Sequence, residues 1–133
     1  MKKIIFLFGL ILSLVLVSCS EDDNRLYTLK GKTFAAFYYI GTGAGGIHYN
    51  VYNVWKFISD SEVEWTTRGG SPTGDLEGVP SMGTYTLNYP DLEVQFITET
   101  SSVRFTCNVI NGTILRFGDN AQSELLPGDF ALQ

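Results

Sequence analysis

The side chains that could do chemistry in this chain are few and widely spaced. His48 is the only histidine, and it sits in the alternating stretch Ile-His-Tyr-Asn-Val on the polar side. A histidine that activates a nucleophile is normally oriented by a third group, and the sequence offers no convincing partner set. A zinc site takes three or four ligands from His, Cys and carboxylates. His48 is therefore predicted to be a surface residue, neither a catalytic base nor a metal ligand.

Acidic residues recur in pairs two positions apart, namely Glu62 and Glu64, Asp75 and Glu77, and Asp91 and Glu93. Glycoside hydrolysis requires two carboxylates that flank the sugar at a defined separation. Residues two apart on a strand share a face, so solvated strand faces account for the first and third pairs. The run from Gly41 to Gly46 lacks the lysine and the following helix of a phosphate loop. We expect no catalysis, no metal and no cofactor.

The N-terminal segment has the layout of a secretory signal, with a basic start at Met1–Lys3 and an apolar run from Ile4 to Val17. As a helix this run would be about 21 Å long, which is short for a bilayer core of about 30 Å. Leu16-Val17-Ser18-Cys19 then resembles the bacterial lipobox. The resemblance implies that the Cys19 thiol takes a diacylglycerol and that the peptide is cut before it. A stable anchor takes two or more acyl chains.

The acidic stretch Ser20–Asn24 directly follows the predicted lipidated cysteine. It resembles the surface-export signal of Bacteroidetes lipoproteins, and the alternative is a solvated tether. The resemblance implies an outer-membrane, lipid-anchored location at the cell surface. We predict a signal peptide over residues 1–18, a lipidated acidic tether over 19–28 and a single domain over 29–133.

Charge and cysteine content limit the partners. Cleavage before Cys19 would leave seven basic and fourteen acidic residues, a formal net charge of −7. Without a basic stripe, nucleic acid and anionic lipid surfaces are poor partners. Cys107 is the one other cysteine and alternates with polar residues, in phase with Phe105 and Val109. We expect it to be a small buried hydrophobe.

The remaining chain alternates in the period of two that is typical of strands, broken by Gly, Pro, Asn and Asp. A loop at Ser59–Ser61 pairs Trp55 with Trp65. A turn at Pro90-Asp91 pairs Tyr85 with Phe96. A three-residue loop at Ile110–Gly112, with Gly112 in the left-handed conformation, pairs Cys107 with Leu115, whereas a two-residue Asn-Gly turn would mix the two faces.

These hairpins predict an all-β fold of about eight antiparallel strands, from Thr33–Ile40 to a short strand near Phe130–Leu132. A long sheet with one apolar face must close or fold over to bury that face, and the up-and-down order of hairpins favours a barrel. The chain resembles a small lipocalin-like (calycin) lipoprotein of Bacteroidetes over residues 26–118. The motifs that carry this resemblance are Leu29-Lys-Gly-Lys-Thr-Phe34, Trp55-Lys-Phe57, Gly83-Thr-Tyr-Thr-Leu87 and Leu92-Glu-Val94. The glycine of the family's Gly-x-Trp is present as Gly31, but the tryptophan is not.

An eight-stranded barrel is either filled by its side chains or holds one small ligand. In the first interpretation the protein binds a small apolar or amphipathic ligand inside the barrel. The residues predicted to line that site are Tyr49, Trp55, Trp65, Tyr85 and Phe96. In the alternative these aromatic side chains fill the core. A glycan or a protein then binds the outer face, through residues such as Tyr52, or the irregular segment 68–82.

Overall fold

A computed structural model of the protein describes residues 27–118 and 129–133. The predicted signal peptide, Cys19 and the predicted tether up to residue 26 lie outside the described residues. The described strands are β1 (Thr33–Thr42), β2 (His48–Phe57), β3 (Glu62–Gly69), β4 (Asp75–Leu76), β5 (Ser81–Asn88), β6 (Asp91–Ile97), β7 (Ser102–Ile110), β8 (Ile114–Phe117) and β9 (Phe130–Leu132). A single turn of 3-10 helix at Ala44–Gly46 lies between β1 and β2.

The strands form a closed, eight-stranded antiparallel barrel with one additional strand, which confirms the predicted fold class. Each barrel strand pairs with the next along the chain, except that β5 follows β3 because β4 stands outside the closed order. The barrel closes where β9 pairs with β1, through Phe34 with Leu132 and Ala35 with Ala131. This up-and-down architecture is consistent with the lipocalin-like resemblance.

The predicted division into two faces is confirmed, and the inward face forms one aromatic core. Its fully buried members are Phe34, Val51, Trp55, Phe57, Val63, Leu92, Val94, Phe96, Phe105, Val109, Leu115 and Phe130. Trp55 lies at the centre, with ring centroids 6.2 Å from Trp65, 5.5 Å from Phe96, 5.6 Å from Phe105, 5.4 Å from Phe117 and 5.2 Å from Phe130. Rings from strands on all sides of the barrel therefore meet on one indole.

The predicted strand registers are correct for β2 with β3 but not for β5 with β6. The pairing of Trp55 with Trp65 is confirmed. The pairing of Tyr85 with Phe96 was wrong, because Tyr85 lies opposite Val94 and the turn consists of Tyr89 and Pro90, joined by a cis peptide bond. A shift of two residues leaves every side chain on its own face, so alternation cannot distinguish the two registers.

The β7–β8 loop differs from its prediction in the same way. It has three residues as predicted, but they are Asn111–Thr113, so that Cys107 lies opposite Phe117 instead of Leu115. Gly112 has the predicted positive φ of 71°, and Asn111 also has a positive φ, of 49°. The Tyr27 hydroxyl donates a hydrogen bond of 3.1 Å to the Gly112 carbonyl. The segment before β1 thus packs on this turn.

The N-terminal segment enters at the end of the barrel opposite the β1–β2 turn. The Tyr27 ring lies 4.8 Å from the Tyr89 ring in the β5–β6 turn, and Leu29 is fully buried. The β1–β2 turn lies one strand length away, and ten residues of strand span about 33 Å. We call the end with Tyr27 and Leu29 the closed end and the end with the β1–β2 turn the open end.

The position of Trp55 predicts a large loss of stability on truncation. A Trp55→Ala substitution removes the ring that five other aromatic rings contact, and cavities of this kind cost about 3–5 kcal/mol. Phe37→Ala, at a ring that is 49% exposed, serves as the control, with an expected cost of about 1 kcal/mol or less. Urea denaturation followed by circular dichroism measures both. Equal losses in the two variants would contradict the central role of Trp55.

Candidate binding surface at the open end

The structure brings four of the five predicted ligand-lining residues into the core. Trp55, Trp65 and Phe96 contact one another, with the Trp65 and Phe96 centroids 5.2 Å apart. The Tyr85 ring packs edge-on against Phe57 at 4.8 Å. The Tyr85 hydroxyl donates to the backbone carbonyl of Ser59 at 2.6 Å, and burial is the main cause of its raised pKa. These contacts make the four side chains packing partners of the barrel.

Two polar groups interrupt this apolar interior. The Trp65 indole Nε1 donates to the Oδ1 of Asn53 at 3.1 Å, and Asn53 is only 1% exposed. The Trp55 indole Nε1 is buried and has no hydrogen-bond partner among the residues of the described ranges. A buried N–H without a partner costs about 1–3 kcal/mol. The apolar interior therefore contains one polar atom at Trp55, its indole Nε1, which the alternation pattern did not predict.

Tyr49, the fifth predicted lining residue, lies apart from the core at the open end. Its ring lies over two glycines of the neighbouring strands. A Cβ on Gly41 of β1 would come within 2.8 Å of the Tyr49 Cζ, and one on Gly69 of β3 within 3.0 Å of its Cε2. A tyrosine ring that covers a cross-strand glycine shields its backbone. Only glycine at these two positions leaves room for the ring in this orientation.

The Tyr49 ring is also fixed at its hydroxyl, which donates to the Glu77 Oε2 at 3.2 Å. This hydrogen bond is the first cause of a raised pKa at Tyr49, followed by burial and by the negative charge of Glu77. Glu77 follows β4 and bonds through its backbone N–H to the Thr67 carbonyl at 2.8 Å. β4, inside the segment predicted to be irregular, thus positions the carboxylate. The sequence pattern gave no signal for this contact.

Other aromatic residues lie on the same hairpin as Tyr49, on both faces of β1 and β2. A β-bulge between Phe37 and Tyr39 inserts Tyr38 and changes which side of β1 faces the barrel. The Tyr38 and Tyr39 ring centroids lie 4.9 Å apart, and the Phe37 and Tyr52 rings meet edge-on at 6.2 Å. Phe37 is 49% and Tyr39 44% exposed. We define the hairpin cluster as these exposed or half-buried rings, Phe37, Tyr38, Tyr39, Tyr49 and Tyr52.

Polar side chains accompany these rings along the same hairpin. The Asn50 Nδ2 donates to the Tyr52 hydroxyl at 3.3 Å. His48, exposed as predicted, lies 3.2 Å from the Thr42 hydroxyl through its Nδ1. Arg68 is the cross-strand neighbour of Tyr52 on β3. The cluster therefore combines flat apolar surfaces with hydrogen-bond donors and acceptors.

The first and third carboxylate pairs lie on outer faces. Glu62 and Glu64 are separated from Asp91 and Glu93 by β5. Asp91 and Glu93 line an open groove of about 400 Å³ on the outside of β5–β7, a concavity that sequence reasoning missed. Glu93 forms an ion pair of 3.6 Å with Arg104. In the ranges 27–118 and 129–133, no three His, Cys, Asp or Glu side chains are arranged to hold a metal ion.

Cys107 lies in the core, and Arg116 forms an ion pair with Asp129 on the outside of the barrel. The Cys107 thiol is buried as predicted, and burial raises its pKa to about 12, which suppresses the thiolate form required of a nucleophile. Arg116 points outward, and its guanidinium donates to the Asp129 carboxylate from Nε at 3.1 Å and from a terminal nitrogen at 2.9 Å. Neither residue contacts the hairpin cluster.

No protein-family model, curated protein or solved structure matches this chain. Within the described part of the chain, no helix is long and apolar enough to cross a membrane. The function of this chain is therefore inferred from the geometry of the hairpin cluster.

The Tyr49–Glu77 contact predicts a specific titration behaviour. Loss of the Tyr49 proton would remove a hydrogen bond and place two negative charges side by side, so the pKa lies above the usual value of about 10. Glu77→Gln removes the charge, and the pKa of Tyr49 should fall toward that value. A pH titration of the tyrosine Cζ chemical shifts, assigned with Tyr49→Phe, measures it. Glu93→Gln, on another face of the barrel, should change nothing, and an equal fall in that variant would contradict the contact.

Proposed function

We propose that this chain is a non-catalytic lipoprotein of the cell envelope that binds a glycan through the hairpin cluster. The observation that carries the proposal is the Tyr49 ring, which lies across Gly41 and Gly69 and is fixed at its hydroxyl by Glu77. A half-buried tyrosine whose ring and hydroxyl are both positioned loses little conformational entropy when a ligand stacks on it.

A glycan suits this surface because a sugar, like the surface, has both apolar C–H faces and polar hydrogen-bonding groups. The C–H face of a sugar ring stacks on an aromatic face through dispersion and weak C–H contacts. Its hydroxyls bond to carboxylate, amide and hydroxyl groups, which Glu77, Asn50 and Thr42 supply at this end. A purely apolar ligand would leave these polar groups without partners, at a cost in affinity.

The location of the anchor supports this proposal. Lipid on Cys19 would attach through the predicted tether to the closed end, where Tyr27 packs on the turns around Tyr89 and Gly112. Tyr49 lies near the other end of the hairpin and would be about one strand length farther from the membrane. An outer-membrane protein anchored in this way presents its aromatic rings to the medium. The acidic stretch Ser20–Asn24 supports export to the cell surface.

The second candidate function is the predicted binding of a small apolar or amphipathic ligand inside the barrel. Its specific support is the buried Trp55 Nε1, which lacks a hydrogen-bond partner among the described residues. A ligand with one acceptor oxygen would satisfy that indole. Against it stands the packing of five rings around Trp55, which a ligand would have to displace.

A glycan screen with matched variants tests the proposal. We expect the soluble form Ser20–Gln133 to bind at least one oligosaccharide of a neutral and acidic panel. Tyr49→Ala should weaken that binding at least tenfold, since the stacking surface is lost, and calorimetric titration measures the change. Tyr49→Phe keeps the ring and separates stacking from the Glu77 bond. Tyr89→Ala, at a half-buried tyrosine of the closed end, is the control and should bind normally.

The same protein distinguishes the two candidates. Native mass spectrometry after incubation with a membrane-lipid extract detects a retained ligand of a few hundred daltons. A retained mass that Trp55→Phe abolishes and Tyr49→Ala preserves would favour the interior site. If no glycan of the panel binds, the proposal for the hairpin cluster is wrong.

Lipidation of Cys19 gives a separate prediction in a bacterial host. The full chain should incorporate labelled palmitate and sediment with membranes, because the anchor carries acyl chains on this residue. Cys19→Ser should lose the label and the membrane association, while Cys107→Ser, at the buried thiol, should keep both. Labelled Cys19→Ser protein would show that the anchor lies elsewhere.

A further inference from the structure

A groove of about 240 Å³ lies on the outer face of β2 and β3, next to the hairpin cluster. It is lined by Thr33, Val54, Lys56, Glu64, Thr66, Arg68, Pro72 and Thr73. Val54 and Thr66 form its floor and are only 5% and 4% exposed, although both lie on the outer side of the barrel wall. The size suits one small chemical group more than a drug-sized ligand, which fills about 300–1,000 Å³.

The loop after β3 builds one wall of this groove. The Gly70 N–H donates to the Asn50 carbonyl at 2.7 Å, and the Gly74 N–H to the Ser71 carbonyl at 3.0 Å. These bonds hold Pro72 and Thr73 beside the barrel. The loop lies in the segment predicted to be irregular, yet it has a fixed backbone and a defined contact with β2.

Arg68 lies where this loop meets the barrel, and its guanidinium has no acidic partner among residues 27–118 and 129–133. The Nε donates to the Thr66 hydroxyl at 3.4 Å, and a terminal nitrogen donates to the Gly74 carbonyl at 3.0 Å. The ion pairs in the described ranges instead involve Arg104 with Glu93 and Arg116 with Asp129. A guanidinium has five N–H donors, so Arg68 keeps three for a ligand.

The charges in the groove favour an anion. Lys56 lies on the same face as Arg68 and faces Glu64 across the β2–β3 ladder. The groove thus holds two cations and one carboxylate, in a chain whose formal net charge is −5. A fixed guanidinium binds carboxylates through two parallel hydrogen bonds, which a flexible ammonium cannot do.

We propose that this groove binds the carboxylate of an acidic sugar, of the uronic acid class, through Arg68 with Lys56 as the second cation. The choice of a sugar rests on the proposed function of the hairpin cluster. The groove adjoins the hairpin cluster, because Arg68 is the cross-strand neighbour of Tyr52. A sugar ring stacked on the Phe37–Tyr52 pair places a neighbouring acidic residue over the groove.

The test compares trigalacturonic acid with its methyl ester, which differs only in its charge and its ester methyls. Calorimetric titration should show the acid binding at least tenfold more tightly than the ester. Arg68→Gln should abolish this preference by lowering the affinity for the acid to that for the ester, and Arg68→Lys should keep only part of the preference. Arg104→Gln, at the ion-paired arginine of another outer face, is the control. The arginine Nε–Hε resonance of Arg68 should shift with the acid and not with the ester.

The outcomes separate this proposal from the glycan proposal. Equal binding of acid and ester, both weakened by Tyr49→Ala, would overturn the carboxylate site and leave the glycan function intact. Binding of a neutral oligosaccharide, with no binding of either galacturonate, would likewise overturn the carboxylate site and leave the glycan function intact. Lys56→Gln is a second variant, in case Arg68→Gln loosens the loop at Gly74, and it should weaken the acid alone. An acid preference that survives in both variants would overturn the role of the groove.

Discussion

The structure depends on one constraint, which is that side chains or a ligand must fill the interior of a closed sheet of eight strands. Trp55 meets that requirement, because its indole contacts rings from β3, β6, β7, β8 and β9. Aromatic pairs at such distances add about 0.5–1.5 kcal/mol each beyond the apolar area they bury. Strands that are distant in sequence are thereby joined through one side chain. The same packing buries three of the five predicted lining residues, Trp55, Tyr85 and Phe96, and holds the half-buried Trp65 against them.

Closure also explains why the distinctive surface lies at the open end. β9 pairs with β1 only at Phe34 and Ala35, so among the described strands the rest of β1, up to Thr42, pairs with β2 alone. The upper part of β3 likewise pairs with β4 instead of β5, at Arg68 and Gly69. This part of the sheet extends past the closed wall. Its side chains have no barrel interior to fill, and aromatic residues there remain exposed.

The sequence predicted the barrel because alternation is a strong constraint on any strand with one buried face. It could not give the registers of β5–β6 and β7–β8, because shifts of two residues preserve the faces. The candidate site was harder still. Tyr49 obeys the alternation of the core residues, and only the tertiary structure places it on Gly41 and Gly69 at the open end. Gly41 begins a glycine-rich run whose composition does not indicate a strand, yet it is a strand residue opposite Tyr49.

The charges on the extended sheet differ between its two faces. Glu77 lies beside Tyr49, and Arg68 lies beside Tyr52, which faces the other side of β2. The acidic chain repels anions at a distance, but salt at physiological strength screens this repulsion beyond about 8 Å. Short-range contacts therefore determine where an anion is stabilised on this surface. Under the proposed function, a carboxylate would be disfavoured near Glu77 and stabilised at the Arg68 guanidinium, so a bound sugar chain would take one orientation, with its acidic residue over the groove.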